Sequence, residues 1–452
     1  MNEEGGEAIP PPVSRGVGHH RESGGVGNDM SDVKTVLLFA SHLSKQSKHE
    51  RAEAVLRFAI ASYPGDFRAF YNLATLLLDG QGASSQYEQS LDLYMQANSL
   101  DPSVVEIYGT IAGLLIKMQR PSEAVQWCQR GLAVSTAPPH SSACYFNLNI
   151  AMRQLGQLHS ATLLTWAALE TDITADSMQQ YRDWQQQQQS PPKDETAPSR
   201  PPTFVCVKWG TKYGSEYVNR LAAMLQRHWH SPSTDGGLAR LVCLTDDPTG
   251  IDAETVECRW LPRADVGGSS HRWRGWWLKA CVFSLCLPSA GSVVVYLDLD
   301  TVIVGSLSWV RDAARLCSQE NCIVALSAGE LASEGRREGI NSSLLVWGHQ
   351  FLCGELFRFL DCHHDALLRC IYKFDHYLEM MLSTGGRVRF LHEIAPSAAL
   401  DYSHLASVEC RGDRDALFLK ASIVCFPLQP KPKECAESGG EKDDWVRVHW
   451  RL

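Results

Sequence analysis

Residues Ser292-Val293-Val294-Val295-Tyr296-Leu297 form an apolar run without alternation, and Asp298-Leu299-Asp300-Thr301 follows at once. β-branched and aromatic residues fit a pleated strand. A strand with no polar face must be covered on both sides, as happens in a parallel sheet between helical layers. Side chains on a strand repeat every second residue, so Asp298 and Asp300 are expected on one face and Leu299 on the other. Two carboxylates that close repel each other unless a cation lies between them. Hard oxygen ligands of this kind suit Mn²⁺ or Mg²⁺. Open α/β sheets bind ligands at the carboxyl ends of their strands, so the pair stands where a catalytic metal is expected.

Further short apolar segments flank this one: Thr203–Val207, Leu241–Leu244, Cys322–Leu326 and Ser343–Val346. They alternate with helical stretches, which predicts an α/β domain over residues 203–452 with a mainly parallel sheet. A low-complexity stretch precedes it, with Gln185 to Gln189, Pro191-Pro192 and Pro201-Pro202. Residues 183–202 therefore read as a linker. Residues 1–32 are rich in Gly, Pro, Glu and Ser and are expected to be a disordered tail.

Between tail and linker, residues 33–175 have helical periodicity throughout. Phe70, Leu73, Ala74 and Leu77 pair with the segment Leu91 to Pro102, which places small Ala97 and then Pro102 at its end. The next unit offers Tyr108, Ile111, Ala112 and Leu115, then Ala124, Cys128 and Gly131. Another offers Tyr145, Leu148, Met152 and Gly156, then Ala161 and Ala168, and a weaker one surrounds Ala54, Phe58 and Ala61. A period of about 34 residues with small residues at helix crossings is similar to the tetratricopeptide repeat. Stacked helix pairs of this kind close a core that one pair alone cannot. The plainer reading is an unrelated bundle of amphipathic helices. If the repeats hold, they imply a groove for a protein or peptide partner.

Composition narrows the classes of function. Hydrophobic residues make up 44% of the 452 positions and charged ones 21%, ordinary for a globular protein. The net charge of −9 argues against nucleic acid as a main partner. No apolar run reaches the roughly 20 residues that span a bilayer. The first residues lack a basic start and apolar stretch, so a cytoplasmic location is expected. The 15 cysteines never occur as C-x-x-C and read as reduced core residues. Asp361-Cys362-His363-His364-Asp365 has metal-like residue types, but neighbours on a helix point about 100° apart, so it reads as structural.

The order of motifs after residue 203 resembles the GT-A class of nucleotide-sugar glycosyltransferases, nearest the glycogenin-like group. It runs Lys208-Trp209-Gly210-Thr211-Lys212-Tyr213-Gly214, Thr245-Asp246-Asp247, Gly275-Trp276-Trp277-Leu278-Lys279, Asp298-Leu299-Asp300, Asn341-Ser342-Ser343, Asp375-His376-Tyr377, Lys431-Pro432 and Val448-His449-Trp450. The resemblance implies a Rossmann-like α/β domain that transfers a sugar from a UDP- or GDP-sugar donor to a hydroxyl acceptor. Asp298 and Asp300 would be its D-x-D motif, holding Mn²⁺ or Mg²⁺ against the donor diphosphate. Lys208, Trp209 and Tyr213 would line the nucleotide pocket, with Asp246 or Asp247 near base or ribose. Lys279 and Lys431 would face the phosphates. Asn341 and Ser342 would bind the donor sugar, and Asp375 would touch donor or acceptor sugar. Where the family has a histidine after the late phenylalanine, this chain has Pro427. His449 would then supply the third metal ligand, or the site would rely on the acidic pair alone.

Two other readings compete. Asp298 and Asp300 also fit the first motif of haloacid-dehalogenase-like phosphatases, with one aspartate as nucleophile. In those enzymes, however, the nucleophilic strand opens the domain. The other reading is a non-catalytic repeat scaffold with a degenerate transferase domain, which Pro427 and His376 favour.

Overall fold

A computed structural model describes residues 29–79, 84–136, 140–169, 179, 183, 201–229, 239–261, 275–284, 293–331, 334, 336, 338–348, 351, 354–382, 386–438 and 443–452. The expected linker lies almost wholly outside these residues, as do residues 1–28 of the expected tail. The chain divides into two compact units, Met1–Leu155 and Gly156–Leu452.

The first unit is helical. Its described helices are α1 (Asp29–Lys45), α2 (His49–Ser62), α3 (Phe67–Asp79), α4 (Ser84–Leu100), α5 (Val105–Lys117), α6 (Pro121–Val134) and α7 (Ser142–Gln154). Helix α1 begins four residues inside the stretch expected to be tail. The pairs α1/α2, α3/α4 and α5/α6 pack together, and α7 packs on both α5 and α6. The first residues of α1, α3, α5 and α7 stand 38, 38 and 37 positions apart, which gives the unit its repeat.

Local chemistry sets the turns. Ser47 and Gln119 have φ values of 58° and 59°, left-handed positions after α1 and α5. In each turn the next amide reaches back to the helix, Lys48 N to Leu43 O at 3.0 Å and Arg120 N to Leu115 O at 2.8 Å. These bonds satisfy carbonyls that the helix end leaves without partners. Small residues mark the crossings: Ala74, Ala97, Ala112 and Ala124 are fully buried. At Gly131 a methyl group would come within 2.7 Å of both Tyr108 Cβ and Cys144 Sγ.

The second unit opens with α8 (Leu158–Leu169), a helix inside the stretch expected to belong to the repeats. It packs on α11 (Gly354–Cys370), where the Trp166 and Phe359 rings meet edge-on at 5.9 Å. The rest is α/β. Seven strands form one sheet: β1 (Thr203–Lys208), β2 (Arg240–Thr245), β3 (Val256–Trp260), β4 (Val293–Leu297), β6 (Ile323–Ser327), β7 (Ile340–Gly348) and β8 (Val388–Phe390). Their order is β3-β2-β1-β4-β7-β6-β8. All neighbours are parallel except that β7 runs against both β4 and β6. Strands β5 (Thr301–Ile303), β9 (Ala399–Asp401) and β10 (Ile423–Cys425) form a second, small sheet in the order β5-β10-β9.

Helix α9 (Ser215–His228) makes the crossover from β1 to β2 and buries Tyr217, Val218, Leu221, Ala222, Met224 and Leu225. Spacing of one, three and four residues puts these on one stripe, so the helix covers a sheet face. Helix α10 (Val310–Glu320) packs on β7, and α12 (Phe374–Leu382) also contacts β7. All five residues of β4 are buried, as a strand at the middle of the sheet requires. No described helix is long and apolar enough to cross a membrane.

Candidate functional site

The sheet changes its direction of growth between β1 and β4. From β1 the chain steps one way to β2 and β3, then returns to place β4 on the other side. A crevice opens at such a switch, beyond the carboxyl ends of the two central strands. The loop after β1, which carries Trp209 and Tyr213, and the turn after β4, which carries Asp298 and Asp300, meet there.

Strand β4 ends at Leu297, so the acidic pair stands in the turn that leads into β5 and not on the strand itself. Thr301 N bonds to Asp298 O at 3.2 Å and closes that turn. Each carboxylate has its own tyrosine and its own lysine. Asp298 Oδ1 accepts from Tyr296 Oη at 2.5 Å, and Asp298 Oδ2 accepts from Lys279 Nζ at 2.6 Å. Asp300 Oδ2 accepts from Tyr213 Oη at 2.7 Å and from Lys431 Nζ at 2.9 Å. Lys279 comes from the 3-10 helix Gly275–Ser284, and Lys431 from the loop after β10. The two remaining N–H bonds of Lys431 go to Phe426 O at 2.5 Å and Pro427 O at 3.2 Å.

The electrostatics follow from this pairing. Burial works against charge on Asp300, but Lys431, Tyr213 and Lys279 outweigh it and hold the carboxyl below the usual carboxylate range. Burial likewise opposes charge on Lys279, yet Asp298 and Asp375 overcome it and raise its pKa. Burial and the nearby Asp300 push the Tyr213 phenol up, so it keeps its proton and donates. Lys212 faces the same charges. Burial lowers its pKa first, and Lys431 and Lys279 oppose its charge while Asp300 and Asp298 favour it. Lys279 and Lys431 thus each pair with one carboxylate, and exposed Lys212, its Nζ 5.2 Å from the centre of the Tyr213 ring, adds a third positive charge nearby.

A second group lies where β7 meets α12. Ser342 N donates to Asp375 Oδ1 at 3.1 Å, and Lys373 Nζ stands 3.5 Å from Asp375 Oδ2. Burial opposes the Asp375 charge, but Lys373, Lys279, the Ser342 hydrogen bond and Arg336 hold its pKa down. Asn341 Nδ2 donates to Glu334 Oε1 at 2.8 Å, and its Oδ1 accepts from Ser343 N at 2.9 Å. Arg336 joins Glu379 at 2.7 Å in the same buried network. Lys279 feels both Asp298 and Asp375, which links the two groups electrostatically.

Other expected residues have different surroundings. Lys208 is buried and donates to the main-chain oxygen of Asp247 at 3.1 Å, fastening the loops after β1 and β2 together. Asp246 Oδ2 accepts from Gly210 N at 2.9 Å, which ties the same loops on the exposed side. Trp209 is half-buried at the end of β1.

His449 does not join the acidic pair. It sits on the helix Asp444–His449, with its ring 6.1 Å from that of His228 and 5.9 Å from that of Phe418. Its neighbour Trp450 takes the inward position, 5.0 Å from the Tyr217 ring, with the Arg220 guanidinium 3.9 Å over the indole. Adjacent residues there point in different directions, so seating Trp450 turns His449 away.

The donor set does not suit a divalent cation. Among the described residues, no group of three or more His, Cys, Asp or Glu side chains is placed to hold a metal ion. The thiol of Cys425, at the end of β10, feels Asp300 and Asp298, but burial above all keeps it protonated. A protonated thiol is a poor ligand for a hard ion. With each aspartate already bonded to an ammonium group, this arrangement does not fit the expected Mn²⁺ or Mg²⁺ site.

Tyr296, Lys212, Glu334, Arg336, Lys373 and Glu379 were not singled out for this role from the sequence. Tyr296 stands two positions before Asp298, a same-face spacing that could have indicated it. Lys212 lies within the quoted motif after β1. Glu334 gave no local signal.

No family model matches the chain, and no curated protein matches it. Solved structures with similarity include YrrB, described as a TPR (tetratricopeptide-repeat) protein with an unusual peptide-binding site. It is 19% identical, with 32% of this chain and 71% of that one covered and a TM-score of 0.27. They also include TTC0263, a thermophilic TPR protein in Thermus thermophilus, at 15% identity over 31% of this chain and 75% of that one, with a TM-score of 0.27. Pseudomonas aeruginosa pilF is similar at 16% identity over 34% of this chain and 71% of that one, with a TM-score of 0.28.

Proposed function

We propose that the α/β unit is a GT-A-type glycosyltransferase that moves a sugar from a nucleoside-diphosphate donor to a hydroxyl acceptor. In this reading the repeats recruit the acceptor or a partner protein. The observation that carries the proposal is the cluster of Lys212, Lys279 and Lys431 around Asp298 and Asp300, at the switch point between β1 and β4. A cationic crevice at that place in an open sheet suits a nucleotide diphosphate.

The chemistry follows from charge. As the bond from sugar to diphosphate breaks, negative charge grows on the departing oxygen. Ammonium groups held close to the departing oxygen stabilise that charge. Asp375, held by Ser342 N and coupled through charge to Lys279, is assigned in this reading to the donor or acceptor sugar. Asn341 braces Glu334 and Ser343, and its role is to keep the start of β7 in place. The nucleophilic-aspartate reading is disfavoured because both oxygens of Asp298 already accept hydrogen bonds.

The direct test is to incubate the full chain with UDP- and GDP-sugars and follow nucleotide release and sugar transfer. Release that Lys279→Met abolishes supports the proposal. If a folded sample releases no nucleotide and shows no thermal shift with any donor, the scaffold reading stands.

A further inference from the structure

Each carboxylate of the acidic pair is neutralised by a lysine, Asp298 by Lys279 at 2.6 Å and Asp300 by the sequence-distant Lys431 at 2.9 Å. All four of these side chains are largely buried, with 8–15% of each exposed. A divalent ion entering there would first have to displace both ammonium groups, and it would find no third protein ligand among the described residues. An anion competes with the same two carboxylates for the lysines, but it needs no further acidic ligand. It takes over lysine N–H bonds that the aspartates now accept, and exposed Lys212, which lies over the ring of Tyr213 beside Asp300, adds a third positive charge.

We propose that this site binds a diphosphate through Lys279, Lys431 and Lys212 directly, without a divalent cation, the lysines exchanging aspartate oxygens for phosphate oxygens. This rests on the donor-site reading above and departs from the metal dependence that the sequence resemblance implies. Lys431 is suited to the exchange. Two of its N–H bonds stay on Phe426 O and Pro427 O, so its ammonium keeps its place while the third changes acceptor. Asp298 and Asp300 act as placeholders that satisfy the lysines when no anion is bound. Buried charges are costly unless paired, which gives the pair a role that needs no metal.

The two mechanisms predict opposite signs for one variant. A metal-bridged site loses the nucleotide when Asp298→Asn/Asp300→Asn removes the ligands. A lysine cradle keeps it or binds it more tightly, because the competing carboxylates are gone. The experiment is calorimetric titration of the full chain with UDP, GDP and pyrophosphate, each in EDTA and each with Mn²⁺, with circular dichroism to confirm folding.

Binding in EDTA that Mn²⁺ changes less than about threefold is expected. It should persist in the double Asn variant, weaken at least tenfold in Lys431→Met and recover in Lys431→Arg. Binding that requires Mn²⁺ and disappears in the double Asn variant overturns the inference and leaves the donor-site reading intact. A folded protein that binds none of the three ligands, with or without Mn²⁺, overturns the donor-site reading and this inference with it.

Discussion

Lys431 and Asp300 stand 131 positions apart in the chain and 2.9 Å apart in the fold. The contact joins the turn after β4 to the loop after β10, and it is braced from behind by Tyr213, which donates to the same carboxylate oxygen. Tyr213 packs edge-on against Tyr217 at 4.9 Å, and Tyr217 in turn meets Trp450. A line of aromatic rings thus connects the acidic pair to the last residues of the second unit.

Removing the lysine should therefore destabilise the fold. Lys431→Met leaves Asp300 buried beside one hydroxyl, and breaking such a pair costs about 3 kcal/mol. Lys431→Met/Asp300→Asn should recover most of the loss, since no unpaired charge remains. Urea unfolding of the two single variants and the double variant gives the coupling energy, and a double variant no better than Lys431→Met alone would refute the pairing.

Asp375→Asn should separate binding from turnover. The diphosphate is assigned to the lysines, so nucleotide affinity should hold within about threefold, while misplacement of the reacting groups lowers kcat for donor hydrolysis by roughly 100-fold. A loss of nucleotide affinity as large as the loss of kcat would place Asp375 on the phosphates.

In the repeats, Gly131→Ala should lower stability by about 2 kcal/mol through overpacking. The added methyl meets Tyr108 Cβ, an atom close to the main chain that cannot swing aside. Ordinary glycine-to-alanine exchange within a helix has the opposite sign. A thermal melt showing a stabilised variant would mean that the α5–α6 crossing relaxes freely.

His449 supplies a pH test. Burial chiefly, with Arg227 and Arg451, holds its folded pKa below the usual 6.5. The unfolded chain therefore takes up the proton first. Its contribution to stability is complete above pH 6.5 and is lost as pH falls toward the folded pKa. His363 is shifted in the same direction by burial, so His449→Gln should remove part, not all, of the stability lost between about pH 7.5 and 5.5. Urea midpoints at the two pH values measure this. The same variant should leave nucleotide binding unchanged, whereas a metal ligand would not.

The strands that carry the site are legible because their residues are apolar on both faces. The β4 run is bounded in the sequence at Val293 and Leu297, where the strand begins and ends. The short strands β5, β8, β9 and β10 have three residues each, too few to set a pattern. The reversed direction of β7 is hidden for a different reason: a strand buried on both faces reads the same in either orientation.

In the site, the i, i+2 spacing draws attention to Asp298 and Asp300. It cannot reveal what neutralises them, because Lys279 and Lys431 arrive through long-range folding. The expectation for His449 rests on the terminal segment standing in for the histidine that Pro427 replaces, and the packing of Trp450 decides otherwise. The resemblance points to Lys279 and Lys431 as phosphate ligands. Only the fold pairs them with the aspartates.

The distance in sequence between Asp300 and Lys431 has a consequence in time. A ribosome adds about 5–20 residues per second, so 131 residues separate the two partners by roughly 7–26 s of synthesis. Through that interval Asp300 has Tyr213 but no lysine partner from the β10 loop. The nascent domain is left with an acid it has not yet balanced, and the crevice acquires its final polarity only as the small sheet closes over β5.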